Sequence, residues 1–324
     1  MGVILVTGCA GFIGSHICSH LLSQGKKVLG IDNLNDYYSS RLKVRNLVPL
    51  QAHKNFEFRQ QCIGDLSGLM KISTSIDLVI HLAATPGVVP SLNQVQAYLD
   101  NNINKYNVLL DYMQIKGIKR LIFASSSSVY GNTPNGVESM VLQPISPYGF
   151  TKQMGEQLNY QYHYLHQISI VNLRLFSVYG ERMRPDLALP KFMNSLLNNQ
   201  AIDLYNNGND YRDFTYIEDV VQAFMATINY LEQNAPCFQS INIGNNQPIK
   251  IRTLLSLLEE VSNRKAIYSN LKKRKGEVFR TAANISKAQL LLAYQPQTSI
   301  EEGIYKYYQW YQQQQEITPI PVGC

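Results

Sequence analysis

Val3-Ile4-Leu5-Val6-Thr7 runs directly into Gly8-Cys9-Ala10-Gly11-Phe12-Ile13-Gly14, and a helical pattern over Ile13–Gln24 follows at once. A short apolar run that ends in a glycine-rich turn and opens a helix reads as the first β-turn-α unit of a dinucleotide-binding fold. Glycines there let backbone approach a pyrophosphate, whose charge sits at the positive end of the helix. The spacing is G-x-x-G-x-x-G rather than G-x-G-x-x-G, so the weight falls on context: first strand, helix start, and an acid downstream. That acid is Asp32, which closes a second strand-like run, Val28–Asp32. A carboxylate there accepts hydrogen bonds from the adenosine ribose hydroxyls and repels a 2′-phosphate, which favours NAD over NADP. The plain alternative for Asp32 is a turn or capping residue.

Strand and helix patterns keep alternating beyond this unit. Phe56–Gln60, Leu78–Leu82, Arg120–Ala124 and Ser169–Phe176 read as strands. Val95–Lys116 reads as one helix stopped by Gly117, and Pro147–His166 as another. Such alternation predicts an α/β, Rossmann-type doubly wound parallel sheet with helices on both faces. After residue 177 the rhythm breaks at Pro185, Pro190, Pro236, Pro248 and two Asn-rich turns. The expectation is a dinucleotide domain over residues 1–176 and a smaller, interleaved α/β lobe over 177–324. Asp219–Tyr230 reads as a helix able to return to the first domain, so part of 213–245 is assigned there. Tyr305–Tyr311 followed by Gln312–Gln315 reads as a helix end running into a loose tail.

Composition narrows the classes. The 324 residues are 45% hydrophobic and 16% charged, enough apolar material for a sizeable core. A net charge of +6 is weakly basic, without the basic face of a nucleic-acid binder. The dense run is Lys272-Lys273-Arg274-Lys275, which fits either a solvated loop or an anion site. Cys9, Cys18, Cys62, Cys237 and Cys324 follow neither disulfide nor metal spacing, so a reduced, cytoplasmic protein without a metal is expected. No apolar run is long enough to span a membrane, and the N-terminus lacks the features of a signal peptide.

Tyr148-Gly149-Phe150-Thr151-Lys152 places a tyrosine and a lysine one helical turn apart on one face. A free tyrosine, with a pKa near 10, is a poor base at neutral pH, and a nearby ammonium is expected to lower it. Ser125-Ser126-Ser127-Ser128 ends the fifth strand, where a hydroxyl can share a proton in transit, although serines are also common in turns.

TGCAGFIG, Asp32, HLAA over residues 81–84, SSSSVYG and YGFTK together resemble an extended short-chain dehydrogenase/reductase. Leu173-Arg174-Leu175-Phe176-Ser177-Val178-Tyr179-Gly180 and Tyr211-Arg212-Asp213-Phe214-Thr215 are similar to the nucleotide-sugar epimerases within that family, and the likeness covers about residues 2–311. The resemblance implies a catalytic set of Ser126, Tyr148 and Lys152. It implies NAD contacts from Gly8, Gly11, Phe12, Ile13, Gly14, Asp32, Asn33, Asp65, Leu66, Leu82, Ala83, Ala84 and Asn102, besides Tyr148 and Lys152. Substrate contacts fall to Ser126, Ser127, Ser128, Ser177 and Arg184, with Arg212 and Arg274 on the diphosphate.

The resemblance further implies removal of a proton from the sugar O4 with hydride transfer from C4. Related dehydratases and decarboxylases carry carboxyl residues where this chain has Ser127 and Ser128, which leaves plain 4-epimerisation. Asp32-Asn33-Leu34-Asn35-Asp36-Tyr37-Tyr38 and Arg184-Pro185-Asp186 most resemble UDP-glucuronate 4-epimerases; Arg184 would face the C6 carboxylate, or be an exposed loop arginine. UDP-glucose and UDP-N-acetylhexosamine are the alternative substrates, and a non-catalytic nucleotide-sugar sensor the alternative class. The family implies a homodimer joined through a four-helix bundle; apolar faces on Val95–Lys116 and Pro147–His166 fit that arrangement and equally fit simple core packing.

Overall fold

Residues 2–273, 276 and 278–317 are described by the computed structural model of the chain. Seven strands form one sheet, all of them parallel: β1 (Val3–Thr7), β2 (Lys27–Asp32), β3 (Phe56–Gln60), β4 (Ile76–His81), β5 (Arg120–Ser126), β6 (Ser169–Leu175) and β7 (Phe238–Ile243). Their order across the sheet is β7-β6-β5-β4-β1-β2-β3. The chain therefore winds outward from β1 in one direction, then returns to build β4 on the other side. The crevice beyond the ends of β1 and β4, where the order reverses, is where open sheets of this kind bind ligands.

The strands are covered on both faces, which is why they read as apolar runs rather than alternating ones. Ile4, Leu5, Val6, Leu78, Val79 and Ile80 are all fully buried. Each such side chain contributes about 1.5–3 kcal/mol relative to exposure. One core lies between the sheet and α1 (Phe12–Ser23) with α6 (Ile217–Gln233); the other lies under α3 (Lys105–Lys116). Between α1 and α6 come α2 (Ser40–Gln51), α4 (Pro147–His166) and α5 (Ala188–Leu197). Ser146 caps α4 by accepting the Gly149 N–H at 3.1 Å, with Pro147 at the first helical position. Gly117 ends α3 with φ +69°, a left-handed conformation that glycine adopts without strain.

Beyond residue 177, Ala201–Tyr205 pairs in parallel with Ile267–Leu271, and two short pairs join Ser177–Tyr179 to Phe214–Tyr216 and Tyr211–Arg212 to Ile249–Lys250. α6 then leads back into β7, the edge strand beside β6. Two expectations need correction. Val95–Lys116 is not one regular helix: the stretch Asp100–Asn104 is a π-helical turn between Val95–Leu99 and α3. Such turns are frequent at functional sites, and this one carries the buried Asn102. Gln312–Gln315 is not a loose tail but lies within the helix Ile300–Ile317. Glutamine is a good helix former, and Gln309 and Gln312 donate at 2.9 Å to the hydroxyls of Tyr305 and Tyr308 one turn back. Among the described residues no helix is long and apolar enough to cross a membrane, and Cys9, Cys18, Cys62 and Cys237 are free thiols; Cys324 lies outside the described residues.

Two histidines tie the sheet to its surroundings and are held neutral. His81 at the end of β4 faces the Thr7 hydroxyl at 2.8 Å and stacks on Tyr106; burial pushes its pKa well below the ordinary value. His16 on α1 meets the Glu181 carbonyl at 3.0 Å, and burial, aided by Arg182, lowers its pKa to about 4. Below the ordinary pKa of 6.5 the unfolded chain binds these protons first, so stability falls with pH. The expected outcome is an unfolding free energy that drops as pH moves from 6.5 toward 4, and a shallower drop for His16→Gln. Urea unfolding across that window measures both, and an unchanged slope in the variant would remove His16 from the account.

Candidate active site

A cavity of about 1120 Å³ opens beyond the ends of β1, β4 and β5. It has room for two sizeable ligands end to end. Gly8, Gly11, Phe12, Ile13 and Gly14 form one wall. A Cβ on Gly14 would stand 2.2 Å from the Gly8 carbonyl oxygen, and one on Gly8, where φ is +72°, would meet the Ala83 nitrogen at 2.8 Å. The turn therefore has space only for glycine at these two places, and it presents bare backbone at the start of α1.

Asp32 and Asn33 line the same wall. The Asp32 carboxylate accepts the backbone N–H groups of Ala10 at 3.2 Å and Leu34 at 2.8 Å, and Lys43 stands 3.9 Å away. It thus helps to close the glycine turn besides facing the cavity. Lys43 is a cavity residue that sequence reasoning missed; its ammonium lies 5.2 Å from the ring of Tyr38, which also lines the cavity and belongs to the stretch Asp32–Tyr38. Leu82, Ala83 and Ala84 form the floor, where Thr7 receives the N–H groups of Leu82 and Ala83 at 3.3 Å.

Three assigned residues do not line the cavity. Asp65 is exposed and caps a short helix, accepting from Gly68 N and Ser67 Oγ at 3.0 and 2.8 Å, and Leu66 begins that helix. Gln61, Cys62 and Ile63 take the cavity side instead. Asn102 sits behind the wall: its amide accepts from Thr85 N at 2.7 Å and donates to Thr85 O and Thr151 Oγ1 at 3.0 and 3.1 Å. It fastens the loop after β4 to α4. Arg274 lies outside the described residues.

The end of β5 meets the first turns of α4 at the centre of the cavity. Ser126, Ser127, Ser128, Tyr148 and Lys152 all line it. The Ser126 hydroxyl contacts Ser128 Oγ at 3.2 Å and lies near enough to Tyr148 to favour its ionised form. Lys152 Nζ donates to the Ala124 carbonyl at 2.7 Å and stands 5.0 Å from the Phe123 ring centre. Burial lowers its pKa to about 8, an effect that the negative charge of Glu156 opposes. The expectation that the Lys152 ammonium lowers the Tyr148 pKa is not met. Burial pushes the phenol above its ordinary value; the influences in the other direction are the Ser126 hydrogen bond and the charge of Arg184. The lysine's ammonium is turned to the strand, and the cation felt by the phenol comes from a different loop.

Arg184 is not an exposed loop residue. Its side chain is 17% exposed, lines the cavity, and lies 5.6 Å from the Tyr37 ring centre. Nε and Nη2 donate to the two Asp186 carboxylate oxygens at 3.0 and 2.9 Å. Tyr37 and Tyr98 both donate to the Pro86 carbonyl, and Tyr98 stands edge-on to Tyr148 at 6.3 Å. Tyr37 belongs to the stretch Asp32–Tyr38 that resembles the epimerases; nothing in the spacing points to Tyr98. Ser177 and Arg212 line the far half of the cavity, with Arg212 Nη1 donating to the Tyr211 carbonyl at 2.8 Å.

Comparison with known proteins agrees with this geometry. Residues 4–244 match the NAD dependent epimerase/dehydratase family. A UDP-glucuronate 4-epimerase of Thermodesulfobacterium geofontis is 39% identical over 322 residues, 98% of either chain. The crystal structure of a UDP-glucuronic acid 4-epimerase from Bacillus cereus, in complex with UDP-glucuronic acid and NAD, superimposes with a TM-score of 0.90 at 38% identity, covering 96% of this chain and 99% of that one. DesIV, a dTDP-glucose 4,6-dehydratase from Streptomyces venezuelae with NAD bound, gives 0.89 at 26% identity over 97% and 98%.

The lowered Lys152 pKa has a direct readout. Only the neutral amine reacts with formaldehyde and borohydride, so labelling of Lys152 in the ligand-free chain is expected to rise through about pH 8, well before exposed lysines. Peptide mass spectrometry across pH checks this, and a rise shared with the exposed lysines would contradict it.

Proposed function

This chain belongs to the NAD dependent epimerase/dehydratase family, and we propose that it interconverts UDP-glucuronate and UDP-galacturonate by reversible oxidation at C4, with NAD as its cofactor. The cavity fits a dinucleotide: two glycines that any Cβ would block leave backbone open at the start of α1, and Asp32 closes the ribose end. Gly8, Gly11, Phe12, Ile13, Gly14, Asp32, Asn33 and the Leu82–Ala84 floor would hold it. When bound, NAD supplies a hydride acceptor for the sugar C4 and the donor for its return.

Tyr148 takes the proton from the sugar O4 and gives it back, with the Ser126 hydroxyl on the same wall of the cavity to share it. Inversion requires the sugar to turn within the site while its nucleotide stays anchored; we assign the anchor to Arg212 with Arg274. Ser127 and Ser128 put no carboxyl group beside Ser126, so the proton transfers that eliminate water have no agent there. The observation that carries the uronate reading is Arg184, held beside Tyr148 by Tyr37 and Asp186. Two of its nitrogens serve Asp186, and we assign the third, Nη1, to the substrate's C6 carboxylate. A restrained carboxylate also resists loss as CO₂ from the β-keto acid formed on oxidation.

The division of labour belongs to the same reading: residues 1–176, with part of 213–245, serve the dinucleotide, and the remainder of 177–324 the nucleotide sugar. A reducing, cytoplasmic setting is supported by the free thiols. A homodimer is supported by apolar side chains left exposed on the two helical stretches, among them Val95, Ile115, Phe150 and Leu165.

Purified chain is expected to convert UDP-glucuronate to a product of unchanged mass without added reductant. Tyr148→Phe should retain NAD and lose at least about a thousandfold in kcat. Conversion of UDP-glucose with UDP-glucuronate untouched would overturn the substrate assignment, and loss of CO₂ or water the reaction. Light scattering should show two chains per particle, falling to one for Phe150→Glu/Leu165→Glu; a single chain before substitution would refute the dimer.

A further inference from the structure

α4 carries a third group in register with Tyr148 and Lys152. Glu156 follows at the same four-residue spacing, is only 4% exposed, and lies beneath the cavity rather than in it. Three successive residues of β5 are matched to these three helical turns: Ser126 to Tyr148, Ala124 to Lys152, and Ser125 to Glu156. The Ser125 hydroxyl donates to Glu156 Oε1. Arg174 of β6 donates to both oxygens of the carboxylate, Nε to Oε1 at 3.0 Å and Nη2 to Oε2 at 2.7 Å. Arg174 Nη1 in turn donates to the Tyr130 hydroxyl at 2.8 Å, and Tyr130 donates to Asn242 Oδ1 of β7 at 2.7 Å. The serine-rich turn after β5 is thereby braced from the strand side, and the helix from below.

We propose that Glu156 is a positioning residue of this reaction: its carboxylate ties the strand end bearing Ser126 to the helix bearing Tyr148 and Lys152, and is the buried counter-charge for that lysine. Among the described residues, the groups around Lys152 leave this part to Glu156. His81 faces it from β4 and is held neutral by burial; Tyr148 on its own helix is held as the phenol; Arg174 from β6 is a cation already paired with Glu156. Without Glu156 the lysine would lose the single negative charge that opposes its desolvation. Ser125 would lose its partner, freeing the backbone on which Ser126 depends.

The proposal rests on the reaction assigned above only for its kinetic arm, because the lysine can be titrated with no sugar present. Glu156→Gln should be examined beside Glu156→Gln/Arg174→Met, in which no guanidinium is left unpaired. Labelling of Lys152 by formaldehyde and borohydride, resolved by peptide mass spectrometry on the full chain, is expected to begin at lower pH in both variants than in the parent. Turnover of UDP-glucuronate should fall at least about tenfold in kcat with KM within about twofold, and Glu156→Asp should recover part of it. If Glu156→Gln alone fails to fold, the double variant decides. A folded double variant that labels and turns over as the parent does would overturn the proposal, leaving Glu156 a partner for Arg174 and nothing more. A parent that labels as expected but turns over no UDP-glucuronate would refute the substrate assignment and leave the positioning role to the labelling arm.

Discussion

The polar seam between the end of β5 and the first turns of α4 is largely buried at the wall of the cavity, and most properties of the site descend from it. A carbonyl, two hydroxyls, a phenol, an ammonium and a carboxylate meet there. In such surroundings each unpaired polar group costs about 1–3 kcal/mol, and an unpaired charge more. The arrangement is therefore held together by the expense of leaving it. Its groups have shifted pKa values for the same reason, with the phenol raised and the ammonium lowered by burial.

The glycine turn and the loop around Arg184 complete the cavity from opposite sides. Close packing of Gly14 on the Gly8 carbonyl brings α1 down onto the sheet and leaves an open backbone wall. Arg184 comes from a loop more than thirty residues beyond Tyr148, and aromatic and acidic neighbours hold it in place. The cation that influences the phenol is thus supplied by the lobe that would also hold the sugar. In the function proposed above, oxidation at C4 and recognition at C6 would share one guanidinium.

Similarity to a dTDP-glucose 4,6-dehydratase shows how little of the fold is specific to the reaction. A comparable sheet and dinucleotide crevice serve a different chemistry in that protein. In this chain Ser127, Ser128 and Arg184 line the cavity, and the proposed function assigns the choice of reaction and substrate to them.

Much was legible from residue order because it is local. An apolar run, a glycine turn and a helix are decided within a dozen residues by backbone sterics and hydrogen bonding, so the strands, the helix Pro147–His166 and the placement of Tyr148 and Lys152 could be read directly. Other features depend on groups far apart in the chain. No spacing rule reveals that Asn102 sits in a π-turn, that Asp65 caps a short helix, or that Lys152 donates to the Ala124 carbonyl while the charge of Arg184 acts on the phenol. Charge acts through space and burial is a property of the assembled core. The sequence by itself determined which groups this protein has for proton transfer and dinucleotide binding; only the tertiary structure decided which of them feel one another.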